Sequence, residues 1–226
     1  MTLPNLDVLV LDVNETLSDL EPLRGRFEKA GLPAEALETW FAATLRDGFA
    51  VTAAGGYAPF KTVAAIALQT LIASHGVETA DTVDSVLSGL ADLPAHADVG
   101  PGLRRLRENG IRLVTLTNGS TAIAEKVLAA ADALQLVEQR LSVETPQRWK
   151  PHPDAYRYAA EAVGVDPARM GLVAVHPWDI DGAGRAGMAG IWVNRRNTPY
   201  PEFFVAPTVE VPDLQALADL LAGGSS

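Results

Sequence analysis

The sequence predicts an α/β protein, a doubly wound parallel sheet interrupted after its first strand by a helical insertion. Three observations carry this. Short, apolar, β-branched runs recur along the chain, helical patterns separate most of them, and residues 18–93 hold helical patterns with no strand between them.

The first run, "VLVLD" (8–12), is apolar at successive positions rather than at alternate ones. Such continuity marks a strand covered on both faces, as in parallel sheets. The next stretches, "PAEALETWFAATLRDGFAVTA" (33–53), "FKTVAAIALQTLIASHG" (60–76) and "TADTVDSVLSGLADL" (79–93), read as three or four amphipathic helices that form a separate cap. The βα alternation then resumes. Helical "PGLRRLRENG" (101–110) leads to strand-like "RLVTLTN" (112–118), and "STAIAEKVLAAADAL" (120–134) and "HPDAYRYAAEAVG" (152–164) are helical again. "LVAVH" (172–176) and "GIWVNR" (190–195) complete the strands, and the tail "AGGSS" is expected to fray. Alternation of this kind gives a Rossmann-like core of residues 1–17 and 94–226 with a helical cap domain of residues 18–93.

Composition narrows the partners. A chain of 226 residues, 48% hydrophobic and 20% charged, can bury a full core. The net charge of −10 and a pI near 4.8 argue against a nucleic-acid or anionic-membrane surface, since phosphate contact needs clustered Lys and Arg. A small-molecule partner fits better. With no cysteine there is no disulfide, thiol nucleophile or Cys-ligated metal, which suits a cytoplasmic setting. No secretory leader and no membrane span are expected. His75, His96 and His152 lack metal-ligand spacing and are expected at the surface.

In open parallel sheets, ligands bind beyond the carboxyl ends of the strands. Those ends carry Asp12, Asn14 and Thr16, then Thr117, Asn118 and Gly119, then His176, Trp178 and Asp179. Lys150, just before "PHPDAY", can reach the same crevice. A carboxylate, an ammonium, two small hydroxyls and an amide in one place suggest covalent catalysis by Asp12, with Lys150 keeping it ionised.

In order and approximate spacing, "LDVNETL", "TLTNGS", "KPHPDAY" and "WDIDGAGRAGMAGIWVNR" resemble the four motifs of the haloacid dehalogenase superfamily. The superfamily's phosphatases carry Asp-x-Asp at the first motif, where this chain has Asn14, and a Gly-Asp at the fourth, where it has Ala174 and Val175. Magnesium would lose two carboxylate ligands, and phosphoryl transfer depends on that ion. The type II dehalogenases are a better match: their Ser-x-Asn-x-Trp-Asp resembles "AVHPWD", their Lys and Tyr resemble Lys150 and Tyr156, and their cap aromatic resembles Phe60.

The resemblance implies hydrolysis of a short halogenated carboxylic acid without cofactor or metal. It makes Asp12 the nucleophile, with Thr16, Thr117 and Lys150 positioning and neutralising it. Asn118 and Phe60 would border the halide, Trp178 would wall the pocket, and Asp179 with Lys150 would orient or activate water. Asn14, Phe41 and Tyr156 fall at substrate-facing positions, and His176 is a second candidate for the water-activating base. Similar dehalogenases are commonly dimers, so a homodimer is expected.

The chain also departs from that pattern. Phe41 follows Trp40 where the dehalogenases usually show the Arg that cradles halide or carboxylate. Arg46 lies about 140° further round a helix, and Arg24 and Arg26 are alternatives. Two other readings therefore stand beside the dehalogenase: a Mg²⁺-dependent phosphatase of the superfamily, or a weakly catalytic relative that binds a small acid. "GAGRAG" (182–187) matches a dinucleotide fingerprint, but "HPWDID" separates it from its strand, which excludes that role.

Overall fold

The computed structural model describes residues 4–77 and 82–223. Its sheet contains β1 (Val8–Leu11), β2 (Arg112–Thr117), β3 (Gln139–Ser142), β4 (Met170–Ala174), β5 (Ala189–Val193) and β6 (Val209–Val211). All neighbours pair in parallel, in the order β3-β2-β1-β4-β5-β6.

The strands alternate faces with the period of two that a pleat imposes. Val8, Val10, Val114, Leu116 and Leu172 enter one apolar cluster, while Leu9, Leu11, Leu113, Val173 and Ile191 enter the other. Helices α5 (Val99–Glu108), α6 (Thr121–Ala130) and α9 (Leu214–Gly223) cover the second face. Helices α7 (Pro153–Val163) and α8 (Pro177–Arg185) cover the first.

Between β1 and α5 the described chain is helical: α1 (Arg24–Lys29), α2 (Ala36–Ala53), α3 (Phe60–Ser74), α4 (Thr82–Leu87) and two short 3₁₀ turns at Glu21–Leu23 and Ser88–Asp92. This is the inserted helical cap. Its core residues, among them Phe27, Trp40, Phe60 and Leu68, belong to the same cluster as the α7–α8 face of the sheet. The "TAD" opening of the third cap pattern lies outside the described residues. So do the last three residues of "AGGSS", whose first two end α9.

Four strands lie where the apolar runs place them. β3, β6 and α9 are additions: β3 is "QRLS" and β6 "VEV", sheet-edge strands with polar, half-exposed positions that carry no continuous apolar run. The glycines of "GAGRAG" serve packing instead of phosphate. Gly182 lies inside α8, and a Cβ there would come within 2.5 Å of the Tyr156 hydroxyl. No described helix is long and apolar enough to cross a membrane.

Candidate active site

The strand order reverses at β1: the chain crosses to β2 and β3 on one side, then to β4 and β5 on the other. A crevice opens at such a switch point beyond the carboxyl ends of the strands. Asp12 follows β1 directly and is fixed there by its backbone N–H, which donates to Val173 of β4 (3.0 Å). The apolar run thus ends in a carboxylate because the chain leaves the covered sheet at that point and enters the crevice.

Lys150 arrives from the loop after β3 with no exposed surface. Its Nζ donates to Asp12 Oδ1 (2.9 Å) and to Asp179 Oδ2 (2.7 Å), so one ammonium lies between two buried carboxylates. Thr16 Oγ1 donates to Asp12 Oδ2 (2.7 Å) and accepts from the Val175 backbone N–H (3.1 Å), which ties the β1 loop to the β4 loop. Tyr156, fully buried in α7, donates to Asp179 Oδ1 (2.6 Å).

Electrostatics separate the two carboxylates. Burial alone would raise Asp12, but the Lys150 ammonium, with lesser help from His176 and the Thr16 hydroxyl, holds its pKa below the ordinary value. For Asp179 burial dominates. The repulsion of Asp12 adds to it, and the pKa is raised despite Lys150 and Tyr156. Burial would lower Lys150, yet the two carboxylates outweigh it and keep the ammonium charged. One acid therefore stays ionised while the other is more basic than a free carboxylate, a division suited to a nucleophile and a proton acceptor.

The remaining residues named from sequence fall into two groups. His176, Trp178 and Phe41 meet at the site: the His176 ring stacks on Trp178 (4.9 Å between centroids) and on Phe41 of α2 (6.1 Å). Phe49 closes this row edge-on against Trp178 at 5.0 Å. His176 Nε2 lies 3.1 Å from the Asn14 carbonyl and 3.7 Å from Asp12 Oδ2. A carbonyl only accepts, so Nε2 carries the proton and presents a donor to Asp12. In that tautomer the free lone pair of His176 is on Nδ1, on the other side of the ring.

Asn118, Thr117, Phe60 and Tyr156 make their contacts elsewhere. Asn118 spends both polar atoms on the backbone of Lys150, accepting from its N–H (2.8 Å) and donating to its carbonyl (3.2 Å). It is a clasp that holds the lysine, and Nδ2 keeps a second N–H beyond the one given to that carbonyl. Thr117 Oγ1 accepts from Gly119 N–H (2.9 Å) and shapes that turn. Phe60 stacks on Trp149 at 5.6 Å, away from the residues lining the cavity. Tyr156 orients Asp179 and has no exposed surface to offer a substrate. The Asn14 side chain faces Gly119, with Nδ2 3.8 Å from where a Cβ on that glycine would lie.

A cavity of 490 Å³ is lined by Glu15, Phe41, Leu45, His176, Trp192 and Arg196 among others, and His176 connects it to the buried Asp12, 3.7 Å from its Nε2. Sequence reasoning missed Glu15, Trp149, Arg195 and Arg196. Arg195 donates to both Asp98 oxygens (2.8 and 3.1 Å) and to the Thr16 carbonyl (2.9 Å), binding the β5 loop to the nucleophile loop. Of the cap arginines, exposed Arg46 pairs with its neighbour Asp47 and Arg26 turns to Ser85 and Ser88. Arg24 lines the cavity, but Glu21, Glu38 and the Ala34 carbonyl take all its N–H donors. His75 is exposed as expected; His96 and His152 are half-buried, bonding the Glu15 carbonyl and capping α7.

Among the described residues no three His, Asp or Glu side chains are grouped to hold a metal ion. The two central carboxylates direct an oxygen each at an ammonium and the others at hydroxyls. That donor set does not fit a divalent cation.

Residues 6–187 match the model of the haloacid dehalogenase-like hydrolases, and the chain belongs to that family. It is 29% identical to (S)-2-haloacid dehalogenase 4A of Burkholderia cepacia over 96% of both chains. It is 34% identical to haloacetate dehalogenase H-2 of a Moraxella species over 58% of each. A crystal structure of an L-2-haloacid dehalogenase superposes with a TM-score of 0.90 at 28% identity, covering 97% of this chain and all of that one. A dehalogenase solved as an intermediate complex gives 0.89 at 27%, covering 96% and 98%.

Proposed function

We propose that this hydrolase is a metal-independent dehalogenase of short (S)-2-haloalkanoic acids. The observation that carries the reading is the division between Asp12, ionised against Lys150, and Asp179, more basic and aimed by Tyr156. The full-length relatives named as haloacid dehalogenases support it.

A carboxylate oxygen of Asp12 attacks C2 of the substrate from the side opposite the halogen. The C–O bond forms as the carbon–halogen bond breaks, halide leaves with the electron pair, and an aspartyl ester results. Halide needs no proton to depart, so Asn14 is no handicap where a phosphoryl ester would call for an acid. Water then attacks Cγ of Asp12, its proton passing to Asp179. The tetrahedral intermediate collapses with cleavage of the bond from Cγ to the substrate oxygen, Asp179 returns the proton to that oxygen, and the 2-hydroxy acid leaves with inverted configuration while the carboxyl of Asp12 loses water's second proton to solvent. Lys150 compensates the charge on Asp12 before the ester forms and that on Asp179 while Asp12 is esterified.

In this reading residues 18–93 form the cap domain over a core of 1–17 and 94–226, His176 and Phe41 wall the cavity, and Trp178 backs His176. A homodimer in the cytoplasm is part of the proposal; the exposed Ile66 on α3 offers such an interface an apolar contact.

The test is halide release from chloro-, bromo- and fluoro-substituted short acids, with and without EDTA, beside Asp12→Asn. Release that survives EDTA and disappears in the variant supports the proposal. No release from any acid, together with Mg²⁺-dependent turnover of phosphate esters, overturns it in favour of a phosphatase.

A further inference from the structure

The covalent mechanism leaves two charged residues at the cavity unexplained, Glu15 and Arg196. Glu15 sits between the nucleophile and Thr16 with φ at 61°, a left-handed conformation that costs a residue with a Cβ. It is locked there because its carbonyl accepts from His96 (3.0 Å). Such strain persists where surrounding structure enforces it, and it clusters at ligand sites.

The Glu15 carboxylate is held loosely. Oε2 lies 3.7 Å from His176 Nε2 and Oε1 3.8 Å from an Nη of Arg196, ion-pair separations beyond hydrogen-bond length. Arg196 has only Glu15 within ion-pair distance among the described residues, and its side chain is 76% exposed. The other two arginines lining the cavity are committed, Arg24 to Glu21 and Glu38, Arg195 to Asp98 and Thr16. An anionic substrate needs a cation, and position 41 supplies a phenyl ring.

We propose that Arg196 receives the carboxylate of the substrate, and that Glu15 occupies this positive pole until the incoming acid displaces it. The inference rests on the dehalogenase reading for the identity of the acid. Glu15 offers the guanidinium the same group that the substrate carries, so binding is an exchange of one carboxylate for another. Arg suits this because its planar fork can grip a carboxylate with two parallel N–H donors, which the present long contact does not use. The enzyme's own chain thereby competes with substrate and sets its affinity.

The experiment compares wild type, Arg196→Gln, Glu15→Gln and the double variant. KM and kcat are measured for 2-chloropropionate, and the Kd for its product, 2-hydroxypropionate, is measured by calorimetry. Arg196→Gln should raise KM and Kd about tenfold or more with kcat nearly unchanged, as loss of uniform binding does. Glu15→Gln should lower both several-fold, to about a fifth, and that gain should vanish when Arg196 is already Gln. Glu15→Gly, which suits the positive φ, should reproduce the Glu15→Gln gain if the amide variant folds poorly. Unchanged affinity in Arg196→Gln, or additive effects in the double variant, overturns the proposal. If wild type releases no halide the dehalogenase reading fails, while the hydroxy-acid titration still decides the carboxylate exchange.

Discussion

Lys150→Met isolates the charge at the centre of the site. Asn118 holds the backbone of residue 150 on both sides, so the loop keeps its course when the side chain changes. Methionine fills the buried stem, but Asp12 and Asp179 lose their shared ammonium and face each other with no counter-ion. The folded variant avoids this only by taking up a proton on one carboxylate. Protonating an acid of ordinary pKa near 3.9 costs about 1.4 kcal/mol per pH unit above that value, hence about 4 kcal/mol at about pH 7 and about 1.5 at about pH 5. That agrees with the 3–5 kcal/mol typical of breaking a buried pair, here roughly a 10 °C fall in Tm.

The sign is definite. In the variant the folded state binds more protons than the unfolded one over this range, so its stability falls as pH rises. In wild type, Asp12 is depressed and contributes stability that is present above its unfolded pKa and lost only as pH falls through its lower folded value. Urea unfolding of both proteins across about pH 5–7.5 should show the gap widening with pH. A gap below about 1 kcal/mol at neutral pH, or one that does not change with pH, would refute the reasoning.

Two further substitutions probe its neighbours. Tyr156→Phe removes the 2.6 Å hydrogen bond that lowers Asp179, so the acid limb of kcat/KM should move to higher pH while stability drops about 1.5–3 kcal/mol; a pH–rate profile identical to wild type contradicts Asp179 as base. Gly48→Ala sets a Cβ 2.3 Å from Cζ3 of Trp149 and should cost about 1–3 kcal/mol in thermal melts, because the buried indole cannot move away freely.

Much of the fold was legible because burial writes itself into sequence: β1, β2, β4 and β5 are covered on both faces and read as continuous apolar runs. β3 and β6 lie at the edges of the sheet, where Gln139, Arg140 and Glu210 can reach water, and that signal fades. In the site, Asp12, Lys150 and Asp179 were legible as unusual charges next to strand ends. The partners of Asn118 and Phe60 were not, since each depends on residues far away in the chain, Lys150 and Trp149. Glu15 was hidden for another reason. Its distinguishing property is a backbone angle, and a glutamate in a turn advertises nothing about φ.

Trp149 gives the site a mechanical side. Its ring is stacked on Phe60 at the start of α3, its indole N–H donates to Ala58 (2.9 Å), and its backbone N–H donates to Thr52 of α2 (3.2 Å). The next residue is Lys150. Of the two helices joined at Trp149, α2 also supplies Leu37, Phe41 and Leu45 to the cavity wall, so that wall is bolted to the residue beside the ammonium that separates Asp12 from Asp179.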